Sequence, residues 1–536
     1  MVRSLASILA FATLLSTSMA GRTVDVSARL GSVDFQVSCN VAAQREFNTA
    51  LTLLHSFWYD KAETEFDRVA ASDHSCAMAH WGVAMSRWHE LWAPPDAEDV
   101  KVATAAIARA QAIGAKTDKE RRFIAAIASY YHAYNIDDDT QNRAAYAAHM
   151  RALHASYPSD RQVALFYALA LIADAPPRDP TFANQRAAGA ILEPIFAAEP
   201  NDPGAAHYII HAYDDPTLAA RALHAAREYA KIAPAVPHAL HMPSHTFTDL
   251  GLWEDSIASN RASLAAEYHN YSYERLGSKT FDDFHSTDFL SYADLQAGRV
   301  RDAQTLAAEV SAIQPLPSDL YSEFEYTLTL SRVVVERRDW KTAARFLVPG
   351  EPFGPTKHPG ISAIEAYVRG LGDAYLGDVS AARSELGVLD ALSSWAKKQK
   401  YGYLARYLRV EHDSLSGWID RAGGQNATAL SALRSAAAES TRSGGPPLIV
   451  WPAPEQLGTV LLELHRPAEA RAAFAKSLHD YPNRLKSLSG AAEAATATGD
   501  RVAALSYYRM LADSCPRADS DNQEVAQARA ALKARH

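Results

Sequence analysis

The sequence lacks the signature motifs of well-known enzyme classes, and it lacks a strong excess of charge of one sign. HExxH, GxSxG, Walker A, GxGxxG and CxxC motifs do not stand in the context that their chemistry requires. The sequence therefore gives no support for a known zinc-protease, serine-hydrolase, nucleotide-binding or dithiol-redox mechanism. The 53 basic and 62 acidic residues are well mixed, without a basic stripe that could neutralise phosphates. We therefore expect no nucleic-acid partner.

Long hydrophobic runs are also missing after the N-terminus. The N-terminus has a basic residue at Arg3, an apolar run from Leu5 to Leu15 and small residues before Gly21, the pattern of a secretory signal. A membrane anchor would need about 20 apolar residues, and this run is shorter. We expect a signal peptide at residues 1–20, cleavage near Ala20, a periplasmic or extracellular location and no membrane span.

Cysteine is scarce, and three residues allow one internal disulfide at most. In an oxidising compartment an odd number of cysteines leaves at least one thiol unpaired. Cys39 and Cys76 are the predicted pair, and Cys515 is the third residue. Three free thiols are the alternative at this point.

The alternation typical of strands is absent, whereas alanine-rich segments with helical spacing fill nearly the whole chain. The composition, 48% hydrophobic and 21% charged, is that of a folded globular protein. An interval of 34 residues separates Ala188, Ala222 and Ser256, as well as Pro200 and Pro234, and Ala470 and Ala504. One supersecondary unit is therefore repeated in an all-α chain.

The repeated units resemble the tetratricopeptide (TPR) family. Small residues stand at the expected helix crossings, an aromatic residue precedes them by three positions in "WYDKAETEF" and "LWEDSIASN", and proline closes the unit. The resemblance implies a right-handed superhelix of helix-turn-helix repeats. A Gly/Pro-rich stretch at 421–454 is predicted to interrupt the repeats. We expect a solenoid at 21–420, with C-terminal repeats and a capping helix at 455–536.

Histidine is the residue type that stands out, because six of the 20 histidines fall between residues 207 and 245. In "HYIIHAYDD", His207, His211 and Asp214 are offset by 4 and 7 residues, so they share one face of a helix. His224 belongs to the intervening helix and is left out of the predicted site.

A second histidine phrase follows one repeat later. In "HALHMPSH", His238, His241 and His245 are offset by 3 and 7 residues, which again gathers three side chains on one stripe. Pro243 lies inside this phrase and is expected to kink the helix, which would re-aim His245.

The repeat register places these helices side by side. In the TPR family the first helices of successive units line a concave groove, so the resemblance implies that both histidine faces look into it. The same register carries His285, Asp288 and Tyr292 of the next unit to this groove. Tyr292 is a candidate groove wall, as are Trp81 and Trp88, for which the alternative is a place in the core.

Imidazole is the commonest protein ligand for zinc, copper and non-haem iron, so we predict a site for a divalent transition metal. Six nitrogens exceed one tetrahedral ion, which leaves open two ions, or one ion with further histidines around it. Candidates for catalytic proton transfer are Asp214, His285 and Asp288. The predicted metal ligands are His207, His211, His238, His241, His245, Asp214 and His285.

Two functions from different classes follow from this pattern. The first is a metalloprotein, hydrolytic or oxidative if it is an enzyme, with a small-molecule ligand in the groove. The second is a non-enzymatic scaffold that binds a peptide or protein segment there, the ordinary use of TPR repeats. Histidine and aspartate, in place of the usual mixture of lysine, arginine and asparagine, favour the first. The histidine phrases also resemble a group of exported bacterial TPR proteins, which implies export and no particular activity.

Overall fold

The computed structural model describes residues 29–534 apart from 92–93, 137, 178, 271–280, 351–352 and 441–448. The predicted signal peptide lies outside the described residues. The described residues form α-helices and short turns, with no strand among them.

Up to Ile232, the described residues form ten α-helices. They are α1 Val41–His55, α2 Tyr59–Ser72, α3 Ala77–Ser86, α4 Ala97–Ile113, α5 Asp118–Tyr131, α6 Thr140–Ser156, α7 Arg161–Ala173, α8 Ala183–Ala198, α9 Pro203–Ala212 and α10 Leu223–Ile232. The middle part continues with α11 Pro237–His241, α12 Pro243–Asp249, α13 Trp253–Asn270, α14 Phe281–Gln296, α15 Val300–Ser311, α16 Leu320–Glu336, α17 Trp340–Ala343 and α18 Pro359–Leu376. The last helices are α19 Val379–Lys398, α20 Gly402–Ala422, α21 Asn426–Glu439, α22 Ala453–Glu463, α23 Pro467–Asp480, α24 Leu485–Ala497, α25 Arg501–Ser514 and α26 Gln523–Lys533.

Each helix packs against the next one in the chain, and alternate helices also touch. Helix α1 contacts α3, and α14, α16, α18 and α20 contact one another in succession. Alternate contacts of this kind arise when helical hairpins stack, because the first helices of neighbouring units then form one layer. The all-α, TPR-like superhelix expected from the sequence is confirmed.

The chain also curls back on itself. Helix α1 contacts α9, although more than a hundred residues separate them. Further along, the indole N–H of Trp253 donates to the carbonyl of Asn483 (3.1 Å), and the N–H of Asp519 donates to the carbonyl of Gly298 (3.0 Å). The C-terminal helices therefore lie against the middle of the chain.

Two large apolar clusters form the core. The first runs from Leu30 to Phe247 and the second from Phe284 to Ala494. Helices α9, α11, α12 and α14, which carry the histidine phrases and His285, lie where the first cluster ends and the second begins. None of the described helices is long and apolar enough to cross a membrane.

The cysteines and the predicted interruption can be located on this fold. Cys39 and Cys76 form a disulfide with their Cα atoms 5.0 Å apart, and Cys515 is buried as a free thiol. The segment 421–454 contains helix α21, so part of it is regular structure. The proposed division at 421–454 stays a prediction.

Candidate metal centre

Six histidines converge in two neighbouring triads. Triad A consists of His207, His211 and His238, and triad B consists of His241, His245 and His285. Within each triad one nitrogen from every ring lies within 4.8 Å of the others. The sequence predicted all six as metal ligands, and His224 lies in neither triad.

Helix α9 presents the first two rings of triad A. Asp202 caps this helix, because its side chain accepts a hydrogen bond from the backbone N–H of Gly204 (2.8 Å). Pro203 occupies the first turn, where a backbone N–H would have no partner within the helix. One turn then separates His207 from His211, whose Nε2 atoms are 3.0 Å apart. His207 is fully buried, whereas His211 is partly exposed and forms the accessible edge of the cluster.

A helix break at Met242 lies within the second histidine phrase, between His241 and His245. Pro243 has no N–H to donate, so α11 ends at His241 and α12 begins at Pro243. The N–H of His245 bonds instead to the carbonyl of Met242 at 3.1 Å, which tightens the chain locally. The interruption expected from Pro243 occurs here, with His238 in triad A and His245 in triad B.

Each ring of triad B is held by a hydrogen bond from its Nδ1 atom. The partners are oxygen atoms of one amide and two carboxyl groups, which favours the tautomer with the proton on Nδ1. The pairs are His241 with Asn260 Oδ1 at 2.7 Å, His245 with Asp214 Oδ2 at 3.0 Å, and His285 with Glu325 Oε1 at 2.9 Å. Asn260 is itself oriented, because its Nδ2 donates to the carbonyl of Ser256 (2.9 Å).

The opposite nitrogens of triad B therefore carry lone pairs. The Nε2 atom of His245 lies 3.0 Å from that of His241 and 3.3 Å from that of His285. Nitrogens bound tetrahedrally to one zinc ion, each at about 2.0–2.1 Å, are separated by about 3.3 Å. Two of the three Nε2 separations in triad B thus match those of a three-histidine metal site.

Triad A is supported from helix α1. The Nδ1 atom of His207 donates to the backbone carbonyl of His55 at 2.6 Å. The ring of His55 bonds to the hydroxyl of Tyr208 and to Oε1 of Gln162, both at 2.8 Å. The contact between α1 and α9 therefore fixes the orientation of the His207 ring.

One phenylalanine packs against each triad. The ring of Phe57 lies 4.4 Å from His207, 5.4 Å from His211 and 5.9 Å from His238. Phe289 lies 5.1, 4.6 and 5.0 Å from the rings of triad B, taken in chain order. These phenyl rings make one wall of each triad apolar.

Burial favours the neutral form of five of the six imidazoles. It lowers the pKa of His207 to about 3 and the pKa of His285 to about 4. Burial, reinforced by the neighbouring histidines, also lowers the pKa values of His211, His238 and His241 well below the ordinary value. Neutral imidazole is the form that binds metal, so these rings are ready to coordinate at neutral pH.

The predicted carboxylates lie behind the rings. Asp214 contacts Nδ1 of His245, on the side away from the converging Nε2 atoms. Asp288 is buried in an ion pair with Arg332 and interacts with Glu325, the residue that holds His285. Burial raises the pKa of Glu325 to about 7. These groups are placed to orient rings and to hold protons.

The three aromatic residues proposed as groove walls are buried. Trp81 packs against Phe123 and Phe166, and Trp88 packs against Tyr130 and Tyr146 in the first apolar cluster. Tyr292 is also buried, with the guanidinium of Arg332 over its ring at 5.2 Å. The site is consequently an interior cluster, where the sequence suggested an open groove.

Several residues that shape the site were not found from the sequence. His55, Asn260 and Glu325 support rings from other helices, and Phe57 reaches triad A from the turn after α1 with a φ of 53°. Phe289 was within reach, since it follows His285 by one helical turn. His55, Asn260, Glu325 and Phe57 have no local sequence pattern that indicates a role at the site.

Comparison with known proteins gives a distant likeness in fold. No family model matches the chain, and no curated protein matches it. The chain is similar to the human IFIT1 dimer with PPP-AAAA, with 11% identity over 81% of this chain and 90% of that chain and a TM-score of 0.37. It is similar to a monomeric IFIT1 mutant with Gppp-AAAA at 11% identity, 86% and 90% coverage and a TM-score of 0.36. At these values the likeness says nothing about what the present chain binds.

Proposed function

We propose that this chain is a metalloprotein whose two histidine triads each bind one transition-metal ion. Zinc, copper and iron all suit a set of imidazole donors. Three protein ligands leave a coordination position for water or a small-molecule substrate, which is the arrangement of catalytic sites. The proposed activity is therefore metal-dependent hydrolysis or oxidation.

The observation that supports this proposal most strongly is the arrangement of triad B. The Nδ1 atoms of His241, His245 and His285 each contact an oxygen, and their Nε2 atoms converge with separations of 3.0 and 3.3 Å. A metal cation among these Nε2 atoms would accept a lone pair from each ring.

A peptide-binding scaffold is less well supported. Of the six histidines, five are at most 8% exposed, and His211 alone is more accessible. A peptide in a TPR groove needs side chains that reach an open surface. The buried rings, fixed from behind by other residues, suit a small ion better.

Catalytic proton transfer is assigned, within the proposal, to the carboxylates behind triad B. When an ion is bound it supplies Lewis acidity or electron transfer at its open position. Asp214 orients His245, and Glu325 orients His285, so both tune the basicity of the Nε2 donors. Asp288 exchanges a proton with Glu325, with which it interacts.

Export is part of the proposal. A disulfide between Cys39 and Cys76 is typical of proteins that fold in an oxidising compartment. We propose that the mature chain starts after Ala20. The mass of the intact protein, recovered from its native compartment, measures both the cleavage site and the two hydrogens lost on oxidation.

Metal titration tests the proposed function. Protein stripped with a chelator should bind about two equivalents of Zn²⁺ or Co²⁺, and His245→Ala should bind about one. His224→Ala is the matched control, because this histidine lies outside both triads, and it should bind two. Circular dichroism checks that each variant is folded. The proposal is wrong if the folded wild-type protein binds neither ion more tightly than about 1 µM.

A further inference from the structure

The six histidine rings form one continuous cluster. Between the triads, the rings of His238 and His241 are 6.1 Å apart, and those of His211 and His245 are 6.4 Å apart. Within triad A the widest separation, between His211 and His238, is also 6.4 Å. The two triads therefore form one cluster, and we call the space that bound ions would occupy among the six rings the chamber.

The backbone explains this continuity. His238 and His241 lie one turn apart on α11 and belong to different triads, so a single short helix supplies both. His211 reaches triad B from the other side through its contact with His245. A small molecule bound to an ion in one triad can therefore also reach the ion in the other.

The donors in this chamber are all neutral. The metal-binding groups found among the described residues contain histidine alone, without cysteine or carboxylate. The nearby carboxylates of Asp214 and Glu325 contact Nδ1 atoms, on the outer side of the rings. Two divalent ions held by neutral donors would carry four positive charges in a buried space, which is unfavourable unless an anion from solution lies between them.

Copper fits these constraints best. Imidazole binds copper well, and copper stands at the top of the affinity order for nitrogen sites. Two Cu(I) ions carry half the charge of two divalent ions, and three nitrogens satisfy the low coordination number of Cu(I). After oxidation, the two Cu(II) ions require a bridging anion, and a diatomic dianion can lie between them.

We propose that the two triads form one dinuclear copper centre that binds dioxygen between its ions. This inference rests on the proposed metal binding and names its ligand. Each Cu(I) ion loses one electron, and dioxygen gains both to become a bridging peroxide. The O–O bond is kept, and no proton or further reductant is consumed. Added hydrogen peroxide gives the same species from two Cu(II) ions, with release of two protons.

The walls of the chamber suit this ligand. Phe57 and Phe289 pack against the rings of triads A and B and make each side apolar. Such walls keep water away from a reduced oxygen species. Entry is through His211, the one ring of the six that is not fully buried.

Anaerobic loading with two equivalents of Cu(I), followed by dioxygen, tests the inference. The oxygenated protein should show an intense near-ultraviolet charge-transfer band and should lack the paramagnetic resonance of isolated Cu(II), because the bridge couples the two spins. Hydrogen peroxide added to the two-Cu(II) protein should produce the same band. His224→Ala, with both triads intact, should behave as the wild type does.

Variants that each remove one histidine from a single triad distinguish this inference from the proposed function. His211→Ala and His241→Ala each leave one triad intact, so each should retain about one copper and lose the band completely. Two bound coppers that give two full Cu(II) resonances and no band would overturn the dinuclear centre while metal binding stands. A band that survives in a one-copper variant would also overturn it. Failure to bind any metal would remove the proposed function itself.

Discussion

His241 and His245 face each other across helix break Met242, with their Nε2 atoms 3.0 Å apart and their Nδ1 atoms both engaged by oxygen acceptors. The fold therefore holds two ring nitrogens in contact, an arrangement that a bound cation would satisfy. Because the rings are fixed before the ion arrives, the protein spends little entropy on ordering them when it binds metal.

The first prediction concerns the oxygens that hold these rings. Asp214→Asn and Glu325→Gln keep the shape of each side chain but remove the carboxylate that polarises His245 and His285. Loss of such an outer partner lowers metal affinity by about 10- to 100-fold. Calorimetric titration with Zn²⁺ measures the change.

Asp255→Asn is the control for loss of one negative charge, because Asp255 is exposed on α13, the helix that also carries Asn260. Its affinity should match that of the wild type. Equal affinities for all three variants would mean that Asp214 and Glu325 do not tune the rings.

Helical spacing predicted which histidine rings come together, but it did not predict most of the residues around them. The offsets in the two histidine phrases gathered the rings correctly, since both phrases are helical where the rings lie. Asp214 was placed among the ligands by the same spacing, but α9 ends at Ala212, so the helical geometry no longer applies two residues later.

The remaining partners could not be inferred for a different reason. Asn260 and Glu325 reach the rings from neighbouring helices, and His55 reaches His207 through a backbone carbonyl 152 residues away in sequence. A backbone carbonyl is present at every residue, so its role leaves no mark in the sequence. The repeat register likewise predicted that the helices with the histidines are neighbours, but it could not show that the histidine rings are buried between them.

The second prediction concerns protonation of the metal-free protein. Unfolded histidine has a pKa of about 6.5, whereas burial lowers the pKa of His207 to about 3 and that of His285 to about 4. Below pH 6.5 the unfolded chain takes up these protons and the folded chain does not. Each such histidine therefore removes about 1.4 kcal/mol of stability per pH unit as the pH falls toward its folded pKa.

Buried carboxyl groups act in the opposite direction over the same range. Burial raises the pKa values of Glu90 and Glu411 to about 8, so their contribution to stability is lost as the pH rises from about 4.5 to 8. Total stability is then a poor readout for the histidines. Imidazole NMR signals of the metal-free protein isolate them: those of His207 and His285 should remain in the neutral form at pH 5, and protonation there would contradict the burial argument.

The third prediction uses the glycine beneath His55. A Cβ atom on Gly204 would lie 2.8 Å from Nδ1 of His55, too close for the ring to stay where it is. Gly204→Ala should therefore push the His55 ring away from Tyr208 and Gln162 and strain the end of α1, whose carbonyl at His55 holds His207. We expect a loss of about 1–3 kcal/mol in the free energy of unfolding and weaker binding of one metal equivalent, the one in triad A.

Gly387→Ala is the matched control, because Gly387 lies inside α19 with no atom within 4 Å of the added Cβ. Alanine is favoured over glycine in a helix, so this variant should be more stable by about 0.5–1 kcal/mol and should bind both ions normally. Urea unfolding and metal titration measure the two effects. A Gly204→Ala protein that binds both ions with unchanged affinity would show that His55 does not position His207.

The fourth prediction separates ligands from packing residues. Trp253 is 2% exposed, its ring lies 5.8 Å from that of Tyr292, and its indole N–H donates to Asn483. Trp253→Ala should lower the free energy of unfolding by about 3–5 kcal/mol through the lost packing, while the folded fraction still binds two ions. His241→Ala should do the reverse, losing one metal equivalent and keeping most of its helicity and stability, because the two large apolar clusters that hold the helices together are left intact. Thermal melting and metal analysis of both variants, made side by side, decide between the two roles. If His241→Ala unfolds the protein as severely as Trp253→Ala, the histidines serve the fold, and the case for a metal centre is lost.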